Sequence, residues 1–171
     1  MKKSFLIACA LFAACLTAQA QRFALIDMEY IMQHIPAYES ANQEIEQSSK
    51  QWQDEVEKLA EEAKSMYESY QKTASSLTDD QRTAKEKAIV NKETEIAELR
   101  RHYFGPGGEL AKLQEELMRP LQDAVYNAVK EIATEKGYAV VTDRASASSI
   151  IFASPEIDIS DEVLARLDYA N

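Results

Sequence analysis

The longest pattern in the chain is a line of apolar residues at heptad spacing, which predicts a coiled-coil helix over residues 39–76. The intervals between successive apolar positions are 7, 4, 3, 4, 3, 4 and 7, with Glu, Lys and Gln between them. A stripe this narrow lets a helix pack along one line while its other faces stay solvated. The stripe, which we call the seam, consists of Ile45, Trp52, Val56, Leu59, Ala63, Met66, Tyr70 and Leu77.

Residues 75–80 interrupt this pattern and predict the tip of a helical hairpin. Thr78 and Gln81 have the spacing of a capping box, in which each side chain bonds the other residue's backbone N–H. A second helix is therefore expected from Asp79 to about Tyr103, and its weaker seam consists of Ile89, Ile96 and Leu99. Two long helices joined by a tight turn should pack antiparallel, as an arm. The position of Trp52 on the seam favours a core role over a ligand site.

A cluster of glycine and proline then predicts a break in the arm, formed by Gly105, Pro106, Gly107 and Gly108. No α-helix passes through such a cluster undisturbed. With the tip near residue 77, the break lies opposite Ser49, where the first seam lacks an apolar residue. We expect a hinge or bend at that height. Helix resumes at Glu109, Pro120 should kink it, and Gly137 should stop it.

Short β-rich runs at residues 23–27, 138–141 and 150–152 flank the helical part. Asp27 is expected to cap a short helix from Met28 to His34 that Pro36 ends, and Ser160 to cap a helix over 161–167. Three strands this short cannot bury a useful core alone, so we expect an obligate oligomer. The predicted fold is α+β and mostly helical: a β-rich body from 21–38 and 136–171, and a hairpin arm from 39–135.

The first 20 residues read as a secretory signal peptide. Lys2 and Lys3 precede an apolar run of 12 residues, Phe5–Leu16, which is too short to span a bilayer. Ala18 and Ala20 supply the small residues of a cleavage site after Ala20. The alternative is a lipoprotein signal with Cys15 as the lipidated residue. The remaining chain is then expected in a compartment that permits disulfides.

Charge and side-chain chemistry argue against an enzyme. Once the signal is removed, 29 acidic and 17 basic residues remain, so the net charge deepens from −10 to −12 and no cysteine is left. This acidity argues against nucleic-acid binding, which requires a basic face. His34 and His102 stand alone, with no metal-ligand spacing, and the carboxylates follow the helical spacing of solvent-exposed pairs. We expect no catalytic residue, metal or cofactor.

Three aromatic residues lie off the seam, wholly or in part, and are candidates for contact with unfolded apolar segments: Tyr67, Tyr103 and Phe104. Single exposed aromatics are also ordinary surface features. Arg100 and Arg101 form the one basic doublet after the signal. It is either plain helix surface or a contact for anionic lipid.

The order of these parts resembles the Skp/OmpH family of periplasmic chaperones. The resemblance rests on a signal peptide, a long helical hairpin and several short motifs: Phe23–Met28, Val140–Asp143, Tyr30–Tyr38 and Pro120–Ala133. The last two motifs are similar to the branch found in Bacteroidetes-type bacteria. The match covers essentially the whole chain after the signal, and none of its motifs is a catalytic signature.

The resemblance implies a homotrimer in which strands from three subunits form a small β-barrel, with the hairpins around a cavity. It implies that the cavity holds unfolded outer-membrane β-barrel proteins without ATP and without stable insertion into a membrane. The residues expected to form the oligomeric body are Phe23, Leu25, Ile26, Val140, Val141, Ile150, Ile151 and Phe152. The basic arms of better-known relatives are not matched here, since residues 39–103 carry 15 acids and 10 bases.

A second interpretation belongs to a different functional class. The same heptads and oligomer would suit a structural coiled-coil protein of the envelope that tethers one folded partner. Such a protein would be indifferent to unfolded clients, which distinguishes it from a holdase. A secreted enzyme is a third class, and no constellation of side chains favours it.

Overall fold

The computed structural model of the chain describes residues 22–147 and 150–169, which divide into two compact units. We call residues 22–34, 124–147 and 150–169 the body, and residues 35–123 the arm. The signal peptide predicted for residues 1–20 lies outside the described residues. The elements in chain order are β1 (Arg22–Ile26), α1 (Met28–Gln33), α2 (Pro36–Thr73), α3 (Asp79–Phe104), α4 (Glu109–Lys136), β2 (Tyr138–Asp143) and α5 (Ser160–Arg166), with 3₁₀ turns at Ala74–Ser76 and Pro155–Ile157.

The fold class predicted from the sequence is confirmed: the chain is α+β and mostly helical, with a small sheet. The division into units falls inside α4, whereas the sequence placed the limits of the arm at residues 39 and 135. The limits of the arm at residues 39 and 135 stay a prediction. In the described ranges, no helix is both long enough and apolar enough to cross a membrane.

The sheet of the body is a parallel pair, β1 with β2, in which Phe23 lies opposite Val140 and Ile26 opposite Asp143. Parallel strands cannot be joined by a tight turn, so a long crossover must connect them, and here the crossover contains the arm. The other edge of β1 is bridged at Leu25 by residue Asp158, next to which the N–H of Ile159 donates to the Leu25 carbonyl at 2.9 Å.

The prediction of a strand at residues 150–152 is therefore wrong. Residues 150–152 are not in a strand, and Ile151 and Phe152 are almost entirely exposed. The free edge of β1 is occupied instead by the chain at Asp158 and Ile159, leaving no partner there for an earlier segment. Alternation of apolar residues predicts a strand only where a neighbouring backbone is available to pair with it.

Both short helices of the body form near their predicted positions. The Asp27 carboxylate caps α1 by accepting from the Tyr30 N–H, as predicted. Pro36 is the first residue of α2, a position that proline tolerates because the N–H there is unpaired anyway. Ser160 does not cap α5, whose N-cap is Ile159 without a side-chain bond. The Ser160 hydroxyl is used elsewhere in the body.

The body has a closed apolar core. Its four largest fully buried side chains come from α1, α4 and α5: Ile31, Val125, Ile132 and Val163. The inner residues of β1, Leu25 and Ile26, are buried as well. Gly137 ends α4 with φ +70°, a left-handed conformation that glycine adopts without the steric cost of a side chain.

The arm is a two-stranded helical hairpin of α2 and α3. Its core consists of Val56, Ala63 and Ile96, with Leu59, Ala60, Leu99 and Tyr103 packed against it. At the tip the predicted capping box is confirmed: the Thr78 hydroxyl accepts from the Gln81 N–H, and the Gln81 side chain accepts from the Thr78 N–H.

The predicted break also forms, since α3 ends at Phe104 and α4 begins at Glu109. A side chain at Gly105 would collide with the carbonyl oxygen of Arg101, which explains why glycine is required there. The helix that resumes continues through Pro120, and the kink expected there stays a prediction.

Candidate functional site

The predicted seam residues differ widely in burial. Val56, Ala63, Ile89 and Ile96 are buried, and Leu59 and Leu99 pack against the core of the arm. The remaining seam residues are half-buried: Ile45, Trp52, Met66, Tyr70 and Leu77. A hairpin of two helices has only one inner line, so most apolar side chains near that line keep one side in solvent.

An aromatic pair joins the two helices beside the break. The ring of Trp52 stacks on that of Tyr103, with centroids 5.1 Å apart and an interplanar angle of 9°. The Tyr103 hydroxyl donates to the Glu55 carboxylate at 2.7 Å, and this bond raises the pKa of the phenol. The stack and the hydroxyl bond thus both join α3 to α2. Tyr103, one of the three candidate contact residues, is half-buried in this pair.

The other two candidates, Tyr67 and Phe104, are exposed by 50% and 37%. Both line recesses between α2 and α3. One recess, of about 610 Å³, includes Phe104 and Arg100, and a second, of about 440 Å³, includes Tyr67 and the same Arg100. Arg101 lines a different recess beside the break, with His102 and residues of the loop. The two arginines of the basic doublet therefore have different surroundings.

The net charge of the arm is unevenly distributed along it. Residues 58–104 carry nine acids and nine bases, and are balanced. Residues 36–57 and 105–123 together carry ten acids and three bases. The excess of acidic residues therefore lies in residues 36–57 of α2 and in residues 105–123, and the rest of the hairpin is balanced.

Of the residues predicted for the oligomeric body, half expose large apolar surfaces. Phe23, Val140, Ile151 and Phe152 are exposed by 52%, 47%, 101% and 85%. Leu25 and Ile26 are buried within the chain itself, while Val141 and Ile150 are half-buried. Sequence reasoning did not single out Tyr126, which is 64% exposed. Tyr126 follows the buried Val125 and lies just off the apolar stripe of α4. An aromatic residue at that position could have been identified from the sequence.

A polar cluster in the body was also not foreseen. The N–H of Asp27 donates to the Ser160 hydroxyl at 2.8 Å, and that hydroxyl donates to Asp158 at 2.6 Å. Arg144 pairs with Asp27 at 2.7 Å and lies 3.8 Å from Asp158. Asp27 lies more than a hundred positions from the other three residues, so no local pattern reveals their contact. Together they tie the C-terminal segment to the end of β1.

Hydrogen bonds lower the pKa of two carboxyls in this region. For Asp27 the largest cause is the bond from the Tyr30 N–H, followed by the bond from Arg144. For Asp143, burial acts to raise the pKa, but bonds from the Met28 N–H and from Ser146 outweigh it. Among the described residues, no group of three or more His, Cys, Asp or Glu side chains could hold a metal ion.

Comparison with known proteins extends over both units. A family model described as "Outer membrane protein (OmpH-like)" matches residues 22–167. The Chaperone protein Skp of Yersinia enterocolitica is 24% identical over 155 residues, covering 91% of each chain. That of Photorhabdus laumondii is 24% identical over 148 residues, covering 86% of each.

A solved structure shares the fold. It is that of an OmpH-like outer membrane chaperone from Caulobacter crescentus CB15, which superposes with a TM-score of 0.68 at 12% identity, covering 85% of this chain and 83% of that one. The family match spans the described body and arm almost completely. The chain therefore belongs to the OmpH-like (Skp) family, which consists of chaperones and not of enzymes.

Proposed function

We propose that this protein is a periplasmic holdase, which binds unfolded outer-membrane β-barrel proteins without ATP and prevents their aggregation. The observation that carries the proposal is the match of the OmpH-like model to residues 22–167, which include the body and the arm. The names of the relatives, chaperones called Skp, support the same activity. The signal peptide predicted for residues 1–20 would deliver the chain to the periplasm, with cleavage after Ala20.

The proposal includes a homotrimer assembled through the body. Large apolar side chains at Phe23, Val140, Ile151 and Phe152 are costly to leave in water, and exposed apolar surface of this kind is typical of an interaction site. Phe23 and Val140 lie side by side in the sheet. Among the described residues β2 pairs only with β1, so its outer edge is available to another subunit. Three subunits would place three arms around one cavity, in which the client is held.

The acidity of the arm bears on which clients it holds. Carboxylates predominate in residues 36–57 and 105–123, so an acidic client is repelled there and a basic one attracted. We therefore propose that clients of this protein are less acidic than those of its basic relatives.

Two measurements test the function. Light scattering of the chain lacking residues 1–20 should give the mass of a trimer, and a monomer would contradict the assembly. Dilution of a urea-denatured outer-membrane β-barrel protein into buffer should produce turbidity that the trimer suppresses at about one trimer per client. Turbidity unchanged at a tenfold excess of trimer would overturn the holdase.

The same preparation distinguishes the structural alternative. If the protein tethers a folded partner, affinity capture from a periplasmic extract should yield one native protein in fixed ratio. A holdase should yield several different β-barrel proteins, each released by urea. Mass spectrometry of the captured material separates the two results.

A further inference from the structure

One groove runs along a single face of the α2–α3 hairpin. It is formed by the two recesses of about 610 and 440 Å³, which share Ala60, Lys64 and Arg100. Its lining on α2 begins at Gln53 and ends at Tyr67. Fourteen residues of helix at 1.5 Å each give a length of about 21 Å.

The floor of the groove is apolar, and it is open because several of its residues are small. Val56, Ala60 and Ala97 line it between the helices. Alanines on facing helices leave a depression that larger side chains would fill. An exposed aromatic stands at each end, Phe104 beside the break and Tyr67 towards the tip. Such a surface favours an occupant that presents apolar side chains on one of its faces.

The charges along the groove follow a fixed order. Lys64 and Arg100 lie where the two recesses meet, and neither makes an ion pair within the described ranges of the chain. Glu57 lies in the recess towards Phe104, as does Glu61, and Glu93 lies in the recess towards Tyr67. The order from end to end is thus negative, positive, negative. An occupant of complementary charge carries an acid at its centre and bases towards its ends.

We propose that this groove binds an extended segment of an unfolded polypeptide, about six residues long, with apolar side chains on one face, an acidic residue at its centre and basic residues flanking it. A strand rises about 3.3 Å per residue, so six residues cover the 21 Å of the groove. Successive side chains of a strand point to opposite sides, so about three of them reach the apolar floor. The inference rests on the proposed holdase function and assigns the place and chemistry of client contact on one arm.

Peptide binding tests the charge order directly. Three capped, fluorescently labelled nine-residue peptides would alternate apolar and small polar residues, with Lys at both ends and Glu, Gln or Lys at the centre. Fluorescence anisotropy with the full trimer should show the central-Glu peptide binding about fivefold more tightly than the central-Lys peptide, since two exposed ion pairs contribute about 0.2–1 kcal/mol each. Equal affinities for the three peptides would overturn the proposal.

A matched pair of double variants locates the effect. Lys64→Gln with Arg100→Gln should abolish the preference for the central acid. Lys58→Gln with Arg101→Gln removes the same charge from the same two helices outside the groove, and should keep the preference. Loss of the preference in both variants, or in neither, contradicts a site in the groove. A change in trimer mass caused only by the first variant would assign the groove to a second copy of the chain and equally overturn it.

The apolar part of the proposal has its own control. Tyr67→Ser should weaken binding of all three peptides about threefold, whereas Val90→Ser, at a residue of α3 that is 57% exposed outside the groove, should leave it unchanged. Suppression of client aggregation by the unaltered trimer is measured in parallel. If suppression succeeds while Tyr67→Ser and Val90→Ser bind the peptides equally, the groove proposal fails and the holdase stands. If the unaltered trimer does not suppress aggregation, the holdase itself fails.

Discussion

The body and the arm differ in how completely they bury their largest apolar side chains. The body buries Ile31, Val125, Ile132 and Val163 completely, because α1, α4 and α5 enclose them from several sides. In the described part of the arm, the large side chains are less completely covered: Ile35, Val56 and Ile96 keep 3%, 5% and 8% of their surface exposed. The comparison teaches that a hairpin of two helices gains length and accessible surface at the expense of a closed core.

The ion pairs of the two units also differ in how far apart their partners lie in the sequence. In the body, Arg166 of α5 reaches Glu131 and Glu135 of α4, and Lys136 pairs with Glu162, so ion pairs join segments distant in sequence. In the described part of the arm three ion pairs lie within one helix, such as Lys92 with Glu95, and one, Lys92 with Glu62, joins α3 to α2. Exposed pairs of either kind contribute little to stability. The body therefore depends on its core, and the arm on the sum of many partly solvated contacts.

The largest effect that would test this comparison is expected from Ile132→Ala. Removing three carbons from a fully buried site should destabilise the body by about 3–4 kcal/mol, since the lost transfer energy and the cavity add. Ile96→Ala in the arm should cost less, about 2 kcal/mol, because solvent already reaches that site. Native-state hydrogen exchange, read separately for amides of β1 and of α3, measures both at one protein concentration.

Equal losses for Ile132→Ala and Ile96→Ala would mean that the arm is buried in the assembly as deeply as the body. Loss of protection from hydrogen exchange at α3 amides in the Ile132→Ala variant would mean that the two units unfold together. Either result contradicts the comparison.

A smaller effect is expected from Ser160→Ala. The Ser160 hydroxyl bonds both the Asp27 N–H and the Asp158 carboxylate, and the residue is 4% exposed. Removing it leaves the Asp27 N–H without its acceptor, which costs about 2 kcal/mol, whereas Asp158 still accepts from the backbone N–H of residue 160. Thermal unfolding followed by circular dichroism should show a lowered midpoint. Ser75→Ala, at an exposed residue of the tip, is the matched control and should leave the midpoint unchanged.

The sequence predicted most of the local structure. The heptads gave the hairpin, the Thr78–Gln81 spacing gave the tip, and the glycine cluster gave the break, because each of these depends on residues close together in the chain. What it missed depends on distant residues. The strand predicted at 150–152 does not form, because Ile159 occupies the edge of β1. The prediction that Ser160 caps a helix is wrong because its hydroxyl bonds Asp27, 133 positions away. The groove on the arm required knowing which faces of α2 and α3 meet.

A still smaller effect is expected from Thr78→Ala at the tip. Loss of an N-cap side chain leaves one backbone N–H of α3 unsatisfied and typically costs about 1 kcal/mol. Exchange should increase for amides of the first turns of α3 and remain unchanged in β1. Thr83→Ala, an exposed position inside the same helix, should not increase exchange. Faster exchange in β1 of the Thr78 variant would contradict independent units.

The smallest effect is expected from mild acid, and it should fall on the body first. Hydrogen bonds from Tyr30 and Arg144 hold the pKa of Asp27 below its usual range, and the pKa of Asp143 is lowered too. A carboxyl whose folded pKa is depressed stabilises the fold above its unfolded pKa, and that contribution is lost as the pH falls through the folded value, here below about pH 4.

Stability of β1 amides should therefore fall from pH 5 to pH 3, and Asp27→Asn should flatten that dependence at the cost of lower stability at pH 7. Asp54→Asn, an exposed carboxyl of α2, should leave the pH dependence of the body unchanged and serves as the control. Both carboxyls bridge separate segments of the body, whereas Glu109, whose pKa Lys112 lowers, lies three residues from its partner within the first turn of α4. If acid destabilised only the arm, ion pairs within one helix, such as Glu109 with Lys112, would set the pH dependence of stability. The cluster of Asp27, Arg144, Asp158 and Ser160 would then not set it.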